Sequence, residues 1–293
     1  MNDSHFAAKK RVDHIMTAFF RFGAWFAVLL LIAFVGYVMV EGCRCLTADM
    51  LSFTEKGLGN QLFNTLYLVF LSLVFSAVGG IPAGVYLAEY AHKGHLVKGI
   101  RMAVETLSSL PSIVVGLFGY LVFIVIPHSE WNMLAGALTV SILMLPLLTS
   151  VTEDALRTLP ESYRLSSYGL GASQWQTVLH VLLPAAFPRI MTGLIMAAGR
   201  GFGEAAALMF TAGMSTDIRW DDWDLGSPSC PLNPLRPSET LTLHIWALRT
   251  EALEANANEQ AAACSAILMV LVVSFSLIAR YMSYRIDKKM GGN

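Results

Sequence analysis

Six long apolar stretches dominate the hydrophobic pattern of the chain. A helix needs about 20 mainly apolar residues to cross the roughly 30 Å hydrocarbon core of a bilayer, and only helices and closed barrels satisfy every backbone hydrogen bond there. The stretches that meet this requirement are Phe22–Val40, Leu62–Ala88, Leu110–Ile126, Met133–Ser150, roughly Pro188–Gly213, and Gln260–Ala279. The pattern therefore predicts an all-α, polytopic membrane protein with six transmembrane helices.

The composition of the chain supports this class. Of the 293 residues, 55% are hydrophobic and 14% are charged, against about 25% charged residues in a typical soluble domain, and the mean hydropathy is +0.56. The formal net charge of -1 lacks the basic excess that a nucleic-acid-binding protein needs. We therefore expect the lipid bilayer, and not nucleic acid, among the partners.

The distribution of lysine and arginine sets the expected orientation. The basic clusters at 9–11 and 280–289 fall on the same side as those at 93–101 and 157–189 if the N-terminus is inside. Because cytoplasmic loops carry an excess of these residues, both termini are expected in the cytoplasm. Phe22–Val40 is longer than the apolar core of a secretory signal, so we interpret it as a retained first helix.

Three segments follow from these assignments. Residues 1–61 hold an N-terminal cytoplasmic segment, the first transmembrane helix and the first outer loop. Residues 62–280 form the main transmembrane domain, with a patterned cytoplasmic loop at 152–184 and an acidic outer loop at 214–259. Residues 281–293 form a cytoplasmic C-terminal tail.

The cytoplasmic loop has the pattern of a helical hairpin. Pro160 suits the first turn of a helix, and Gly171 is expected to end that helix in the left-handed conformation. Ser173–Gln176 has capping-box spacing, which predicts a second short helix that stops before Pro184. The apolar positions along one face of this second helix are Trp175, Val178, Leu179 and Leu182.

The exposed apolar face of this hairpin needs a partner, either the bilayer surface or a groove on a soluble protein. A helix that lies on a membrane usually carries many lysines and arginines, whereas Ser173–Pro184 has none, so the protein partner is favoured. The chain lacks a Gly-x-x-x-x-Gly-Lys-Ser/Thr phosphate loop. Energy from ATP would therefore come from another polypeptide.

Two charged residues, Arg200 and Glu204, lie inside the fifth apolar stretch. A cation at the centre of a membrane helix costs at least about 2.5 to 3.5 kcal/mol, and the spacing of four residues places both side chains on one helical face. One interpretation is that they neutralise each other. The other is that the Arg200 guanidinium offers its planar donors to an oxyanion.

Several motifs resemble those of ABC importer permeases. The stretch Leu165–Ala172, followed by Leu182–Pro184, is similar to the EAA loop that docks on the ATP-hydrolysing subunit of these transporters. The segments Gly80–Ala91, Leu110–Gly119 and Gly199–Ala206 resemble the phosphate-specific PstA family. In the EAA motif a glutamate is usual where this chain has Leu165, and Glu161 or Arg164 are the candidates to replace it.

The resemblance implies a type I ABC importer permease fold and a transport subunit that is not itself an enzyme. It would translocate inorganic phosphate by alternating access in a bacterial inner membrane, with Arg200 and Glu204 on the substrate path. The implied partners are a PstC-like permease subunit, a homodimeric ATP-binding subunit and an extracytoplasmic phosphate-binding protein. The implied ATPase coupling residues are Leu165, Ser166, Gly171, Ala172, Trp175, Leu183 and Pro184.

The resemblance implies no cofactor or metal on this chain, because ATP and Mg would be used by the partner ATPase. Two alternatives stay open at this point. The cargo could be another oxyanion such as sulfate or molybdate, because a guanidinium accepts any tetrahedral anion. A channel or carrier that works without ATP is the alternative from a different class.

The outer loop and the cysteines leave further alternatives. On the outer face, Cys230 could form a disulfide with Cys43 or Cys45, or all could be free thiols. The outer loop includes the acidic run Trp220–Asp224. We expect a solvated loop there, with docking of a soluble binding protein as the functional alternative and a calcium site as a weaker one.

Overall fold

A computed structural model describes residues 3–54, 57–91, 94–215, 217–251 and 256–290. Within these ranges the regular structure is helical, without strands. The α-helices are α1 Asp3–Cys45, α2 Gly59–Val85, α3 His95–Ser109, α4 Ser112–Tyr120, α5 Met133–Arg157, α6 Glu161–Gly169, α7 Gln174–Thr177, α8 Leu183–Phe202, α9 Leu241–Thr250 and α10 Ala257–Met290.

Wider π-helical turns extend three of these helices. Tyr86–Tyr90 continues α2, Leu121–Val125 continues α4, and Val178–Leu182 joins α7 to α8. With these turns included, five helices are long and apolar enough to cross a membrane, and the bent pair α3 and α4 makes a sixth. The expectation of an all-helical, polytopic chain is confirmed.

The centre of the bundle is the packing of α2, α5 and α8. Glycines on α2 allow α5 to approach closely, since a Cβ atom built on Gly80 would lie 2.9 Å from the Leu148 Cβ, and one on Gly84 would lie 2.6 Å from the Thr152 Cβ. Small residues at such crossings let helix backbones approach within the membrane. The core beside them includes Leu68, Val140, Met144, Leu148 and Ala197, all almost fully buried.

The third span differs from the prediction at its start. We expected a helix over Leu110–Ile126, but α4 begins at Ser112, and α3, which the apolar pattern did not predict, precedes it at an angle of 103°. Pro111 explains the bend, because proline disfavours helical geometry in the residue before it. Leu110 accordingly has extended dihedrals of φ -67° and ψ 135°.

The first helix stands apart from this core. α1 packs mainly on α10, and the two helices touch at Gly42, which lies against Ala262 and Ala266. Ser283, late in α10, donates to the Pro188 carbonyl at the start of α8. The antiparallel pair α1 and α10 therefore places the start of α1 and the end of α10 at the same end of the bundle as α6 and α7.

Candidate functional site

The hairpin, residues 161–184, is built as local sequence rules require. Gly171 has φ +84°, the left-handed conformation that glycine adopts without cost. The capping box is present, because the Ser173 hydroxyl accepts a hydrogen bond from the Gln176 amide and the Gln176 side chain accepts one from the Ser173 amide. The predicted helix break and restart are therefore confirmed.

The predicted end of the second helix before Pro184 is wrong. The helix continues from Gln174 through the π turn into α8 and reaches Phe202. Pro184 lies in the first turn of α8, directly after the π turn. A proline fits there because the backbone N–H group that it lacks is not needed for helix hydrogen bonding at this position. The hairpin is thus joined rigidly to the fifth span.

The apolar face that the sequence predicted divides into two sides in the structure. Val178 and Leu182 are buried in a core cluster with Val85, Leu156 and Ile190. Trp175 and Leu179 are exposed, Trp175 by 59%. The buried side fixes the hairpin to the bundle, and the exposed side remains open to a partner.

The other proposed coupling residues are mostly at the surface. Leu165 is 63% exposed, and Ser166, Gly171 and Pro184 are exposed as well, whereas Ala172 and Leu183 are half-buried. The exposed members share a surface with Leu170, Tyr163 and Tyr168. The structure therefore places most of these residues where a second protein could contact them.

A partly buried ion pair anchors the hairpin to the end of α2. The Arg164 guanidinium donates from Nη2 to Glu89 Oε1 at 2.5 Å and from Nε to Glu89 Oε2 at 3.1 Å. Arg164 also donates to the Leu156 carbonyl at 2.9 Å, and Gln174 Nε2 donates to the Glu89 carbonyl at 2.7 Å. The hydrogen bond to Glu89 raises the pKa of Arg164 above its usual value.

This anchor decides between the two substitutes for the missing EAA glutamate. Arg164 faces Glu89 inside the protein, so it is committed to the fold and does not present its charge to a partner. Glu161 is exposed in the first turn of α6. Of the two, Glu161 is the one available at the surface.

Arg200 and Glu204 do not form the ion pair that their spacing allows, so the first of the two interpretations is wrong. The fifth span was expected to run to Gly213, but α8 ends at Phe202, so only Arg200 lies within the helix. Gly201 and Gly203 favour this end because glycine weakens a helix. Within the described residues Arg200 makes no ion pair, and its side chain is exposed.

Glu204 is instead used inside the protein. It is 8% exposed, and its Oε1 accepts a hydrogen bond from the Ala207 amide at 3.0 Å, while Thr242 donates to its carbonyl at 3.1 Å. Ala207 is fully buried and lies against Gly116 of α4. Glu204 therefore holds the turn after α8, and Arg200 alone faces outward.

The chain beyond α8 is a return segment, of which the structure describes residues 204–215, 217–251 and 256, and outside its exposed acidic part it packs on the bundle. Its backbone bonds to the start of α5, since the Met133 amide donates to the Arg236 carbonyl at 2.9 Å and the Leu134 amide to the Pro234 carbonyl at 2.7 Å. Leu241 and Leu243 of α9 are fully buried. The return segment thus closes the end of the bundle opposite the hairpin.

Arg236 is the centre of this closure, and sequence analysis missed it. Its side chain is 1% exposed, donates to Asn64 Oδ1 at 2.5 Å, and makes longer bonds to the Pro231 carbonyl. Burial lowers the pKa of Arg236 to about 10. The available signal was the polar run Asn60, Gln61 and Asn64 at the start of an apolar stretch.

A carboxylate lies in the same polar cluster without pairing to Arg236. Glu239 accepts from Gln61 Nε2 at 3.3 Å and lies 3.1 Å from His244 Nδ1, while Asn64 Nδ2 donates to the Glu239 carbonyl at 2.9 Å. Asn64 thus connects Arg236 to the backbone at Glu239. The cluster ties the return segment to α2.

The acidic run Trp220–Asp224 is exposed at Asp221, Trp223 and Asp224, as expected of a solvated loop, and is attached to the fold through Trp220. Trp220 donates to Asn60 Oδ1 at 3.0 Å and packs edge-on against Phe53 and Phe63. Hydrogen bonds from Ser227 and then from the Asp224 amide lower the pKa of Asp222. Among the described residues, no group of three or more His, Cys, Asp or Glu side chains could hold a metal ion.

The disulfide alternative is not supported. All four cysteines are in the described ranges and all are free, with Cys230 and Cys264 buried and Cys43 exposed. The free-thiol alternative is therefore the one that the structure shows.

Comparison with known proteins identifies the family. A model of the family described as "Binding-protein-dependent transport system inner membrane component" matches residues 80–291. The chain belongs to this family of ABC transporter permeases. It is accordingly a multi-pass protein of the inner membrane and a permease component. Both the hairpin and the return segment fall inside the matched region.

Curated relatives of this permease agree with the family. The chain is 38% identical over 97% of its length to the "Probable ABC transporter permease protein YqgI" of Bacillus subtilis strain 168, and covers 99% of that protein. It is 30% identical to the "Phosphate transport system permease protein PstA" of Pasteurella multocida, over 72% of this chain and 78% of that protein.

Solved permease structures share the fold. A chain of a bacterial alginate ABC transporter, in complex with an alginate pentasaccharide-bound periplasmic protein, gives a TM-score of 0.66 at 16% identity, over 95% of this chain and 96% of that one. A chain of the MetNI methionine ABC transporter in an inward-facing conformation gives 0.57 at 18% identity, over 84% and 99%. At these identities the likeness concerns the type I importer permease fold alone.

Proposed function

We propose that this ABC importer permease subunit carries inorganic phosphate into the cell. It would do so by alternating access as one half of a heterodimer with a PstC-like permease subunit. Support for phosphate comes from relatives named PstA, among them one from Haemophilus influenzae that is 34% identical over 63% of this chain. Arg200, which belongs to the PstA-like motif Gly199–Ala206, lies in the last turn of α8.

The observation that carries the proposal is the state of Arg200. Its guanidinium is exposed on a membrane-spanning helix, and it has no carboxylate partner among the described residues. A lone cation facing lipid is costly, so this face calls for a polar path or another subunit. A guanidinium matches the oxygen atoms of a tetrahedral oxyanion.

The surface around Arg200 suits a second permease subunit. A Cβ atom built on Gly199 would meet nothing within 4 Å, and Gly203 is exposed, so a helix from outside could approach closely. Transport paths usually run between two related halves, and the six spans of this chain supply one half. Arg200 would then line the path between the two subunits.

The hairpin supplies the link to ATP. In the proposed orientation it lies in the cytoplasm, where its exposed side contacts a homodimeric ATP-binding subunit that uses ATP and Mg. The Glu89 anchor and the continuous helix from Gln174 to Phe202 connect that contact to Arg200. An extracytoplasmic phosphate-binding protein would deliver the anion at the return segment.

The test of the cargo is ATP-dependent uptake of radiolabelled phosphate by vesicles that contain the whole transporter. Arg200→Met should abolish uptake, and Arg200→Lys should reduce it at least tenfold, because an ammonium lacks the planar fork. Arg44→Met makes the same change at an exposed position near the end of α1, outside the return segment, and should leave uptake intact. Wild-type rates in both Arg200 variants would reject the path, and stronger competition by sulfate or molybdate than by phosphate would reject the cargo.

The test of coupling uses the exposed side of the hairpin. Trp175→Glu and Gly171→Pro should reduce co-purification of the ATP-binding subunit and uncouple ATP hydrolysis from uptake. Trp131→Glu is a matched control, because Trp131 is 54% exposed just before α5, at the opposite end of the bundle and outside the return segment. Normal coupling in both hairpin variants, or full uptake by this chain without any ATPase, would contradict the proposed docking.

A further inference from the structure

A basic cavity lies beside the hairpin and takes no part in the path or the coupling described above. It measures about 650 Å³ between α3 and the end of α5. Its polar lining consists of His95, Lys98, Arg101 and Arg157. The N-terminus of α3 opens onto the same space at Gly94, so the free amides of that first turn add to the positive potential.

One carboxylate serves two of these cations. Arg101 Nη2 lies 2.5 Å from Glu153 Oε1, and Arg157 Nη2 lies 3.0 Å from the same oxygen. The two arginine side chains remain 41% and 47% exposed, and Lys98 has no ion pair with another described residue. Positive charge in the cavity therefore exceeds negative charge, and guanidinium donors remain free to bind an anion.

The geometry of α3 places the cavity at the level of lipid headgroups. α3 and α4 together form the bent sixth span, and α3 turns away from α4 by 103°, so the start of α3 and the cavity lie at the hairpin end of that span. One face of α3, which includes Val97, Ile100 and Val104, is half-buried against α5. Leu96 and Met102 are 66% and 67% exposed, as expected for apolar side chains that reach acyl chains.

We propose that this cavity binds the phosphate group of an anionic phospholipid, such as phosphatidylglycerol. Basic pockets beside membrane helices on the cytoplasmic side suit such headgroups. Arg101, Arg157 and Lys98 contact the phosphate oxygens, and the acyl chains lie along the exposed apolar side of α3. A free phosphate ion shares the headgroup chemistry, but it has no use for the exposed Leu96 and Met102.

The lipid fixes the junction between α3, α4 and α5 at the membrane surface. That junction adjoins the Glu89 anchor, because Arg157 also donates to the Leu87 carbonyl at 3.1 Å. The lipid site therefore adjoins the residues that hold the hairpin, since Leu87 is two residues before Glu89. This inference does not depend on phosphate as the cargo.

The experiment measures lipid binding to the full-length protein by native mass spectrometry. Phosphatidylglycerol and phosphatidylcholine with identical acyl chains are compared. The wild type should bind phosphatidylglycerol at least fivefold more tightly. Lys98→Gln should lower the affinity for phosphatidylglycerol about fivefold, and Lys98→Gln with Arg101→Gln should lower it about 25-fold. These factors follow from the strength of each basic contact near a membrane surface.

A matched pair of charges provides the control. Arg285→Gln with Lys288→Gln removes two cations from the end of α10, outside the cavity, and should change binding by less than twofold. Lys98 has no ion-pair partner to lose, so the single variant keeps the test valid if the double variant is unstable in a thermal melt. Equal binding of the two lipids, or unchanged binding in both cavity variants, would overturn the proposal.

A second measurement separates a lipid headgroup from free phosphate. Radiolabelled inorganic phosphate is added to delipidated wild type, to Lys98→Gln with Arg101→Gln, and to Arg200→Met. Phosphate binding that is lost in the cavity variant, together with no preference for phosphatidylglycerol, would reject the lipid in favour of a soluble anion. Loss in Arg200→Met alone concerns the transport path and leaves the lipid site supported by its own measurement.

Discussion

Arg164 in the hairpin and Arg236 in the return segment are both held inside the protein, but in different ways. Arg164 is bound by both oxygens of the Glu89 carboxylate. Arg236 is more deeply buried and is held by the amide oxygen of Asn64 and by backbone carbonyls, without a carboxylate. The pKa of Arg164 is raised and that of Arg236 is lowered.

The difference shows what each arginine contributes to the fold. A paired charge stabilises the contact while both partners are present and becomes costly when one is removed. A buried charge held by neutral oxygens satisfies several acceptors at once but carries its desolvation cost throughout. The hairpin is therefore joined to α2 by one strong pair, and the return segment by a distributed network.

The largest expected effect comes from breaking the pair. Glu89→Ala leaves Arg164 without its counter-charge and should lower the free energy of unfolding by about 3 kcal/mol, measured by denaturant titration in mixed micelles. Replacing both residues, with Glu89→Ala and Arg164→Met, should recover part of this loss. A loss of stability in the double variant that equals or exceeds the sum of the losses in Glu89→Ala and Arg164→Met would show that the two residues are not coupled as described.

The next effect tests the network. Arg236→Met should cost about 2 kcal/mol, because Asn64 Oδ1 and the Pro231 carbonyl lose their donor while the relief of desolvation returns a part. Arg219→Met, an exposed arginine of the same segment, should change stability by less than about 0.5 kcal/mol. Equal losses in the two variants would mean that burial of Arg236 has no energetic role.

A smaller effect follows from pH. The pKa of Arg236 is lowered to about 10, so above that pH the folded protein binds fewer protons than the unfolded chain, and stability due to this group rises with pH. The stability difference between wild type and Arg236→Met should be flat from pH 6 to 8 and grow in favour of wild type by about 1 kcal/mol near pH 11.

Arg164 gives the opposite expectation in the same titration. Its raised pKa gives stability that is fully present below the unfolded pKa and is lost only above it. The difference in the free energy of unfolding between wild type and Arg164→Met should therefore not rise between pH 8 and 11. A parallel rise in both arginine variants would show that the two sites do not differ in the way described.

The smallest effect concerns the turn of the hairpin. Gly171→Ala should cost about 0.5 to 1 kcal/mol, because its φ of +84° strains a residue with a side chain, although the alanine also restricts the unfolded chain. Gly169→Ala is the control, since neither position has a neighbour within 4 Å of an added Cβ and Gly169 lacks the positive φ. Thermal melts of both variants that coincide would contradict the strain.

The two regions also differ in how far the sequence predicts them. The hairpin follows from signals only a few residues apart, namely Gly171 and the capping box at Ser173 and Gln176, and these predictions were confirmed. The return segment depends on contacts such as Arg236 with Asn64, which are 172 residues apart. Hydrophobic periodicity carries no information about such a pairing.

The candidate path shows the same limit within one helix. A spacing of four residues allows Arg200 and Glu204 to pair only while the helix continues through both residues. The glycines at 201 and 203 and the use of Glu204 by the Ala207 amide end it first. The sequence identified both charged residues, but it did not show that the helix ends between them. The bend at Pro111 likewise hid α3, whose mixed polarity has no uninterrupted apolar run.

The isolation of α1 has a consequence for how this chain can vary. α1 packs mainly on α10, at the crossing near Gly42, and most of its other side chains face away from the protein. The sequence of α1 therefore has to remain apolar and long enough to span the membrane, but its side chains need not fit the shape of a neighbouring helix. Its sequence can drift widely while the crossing stays small. For the same reason a reporter domain attached before α1 should leave the packing of α2, α5 and α8 undisturbed.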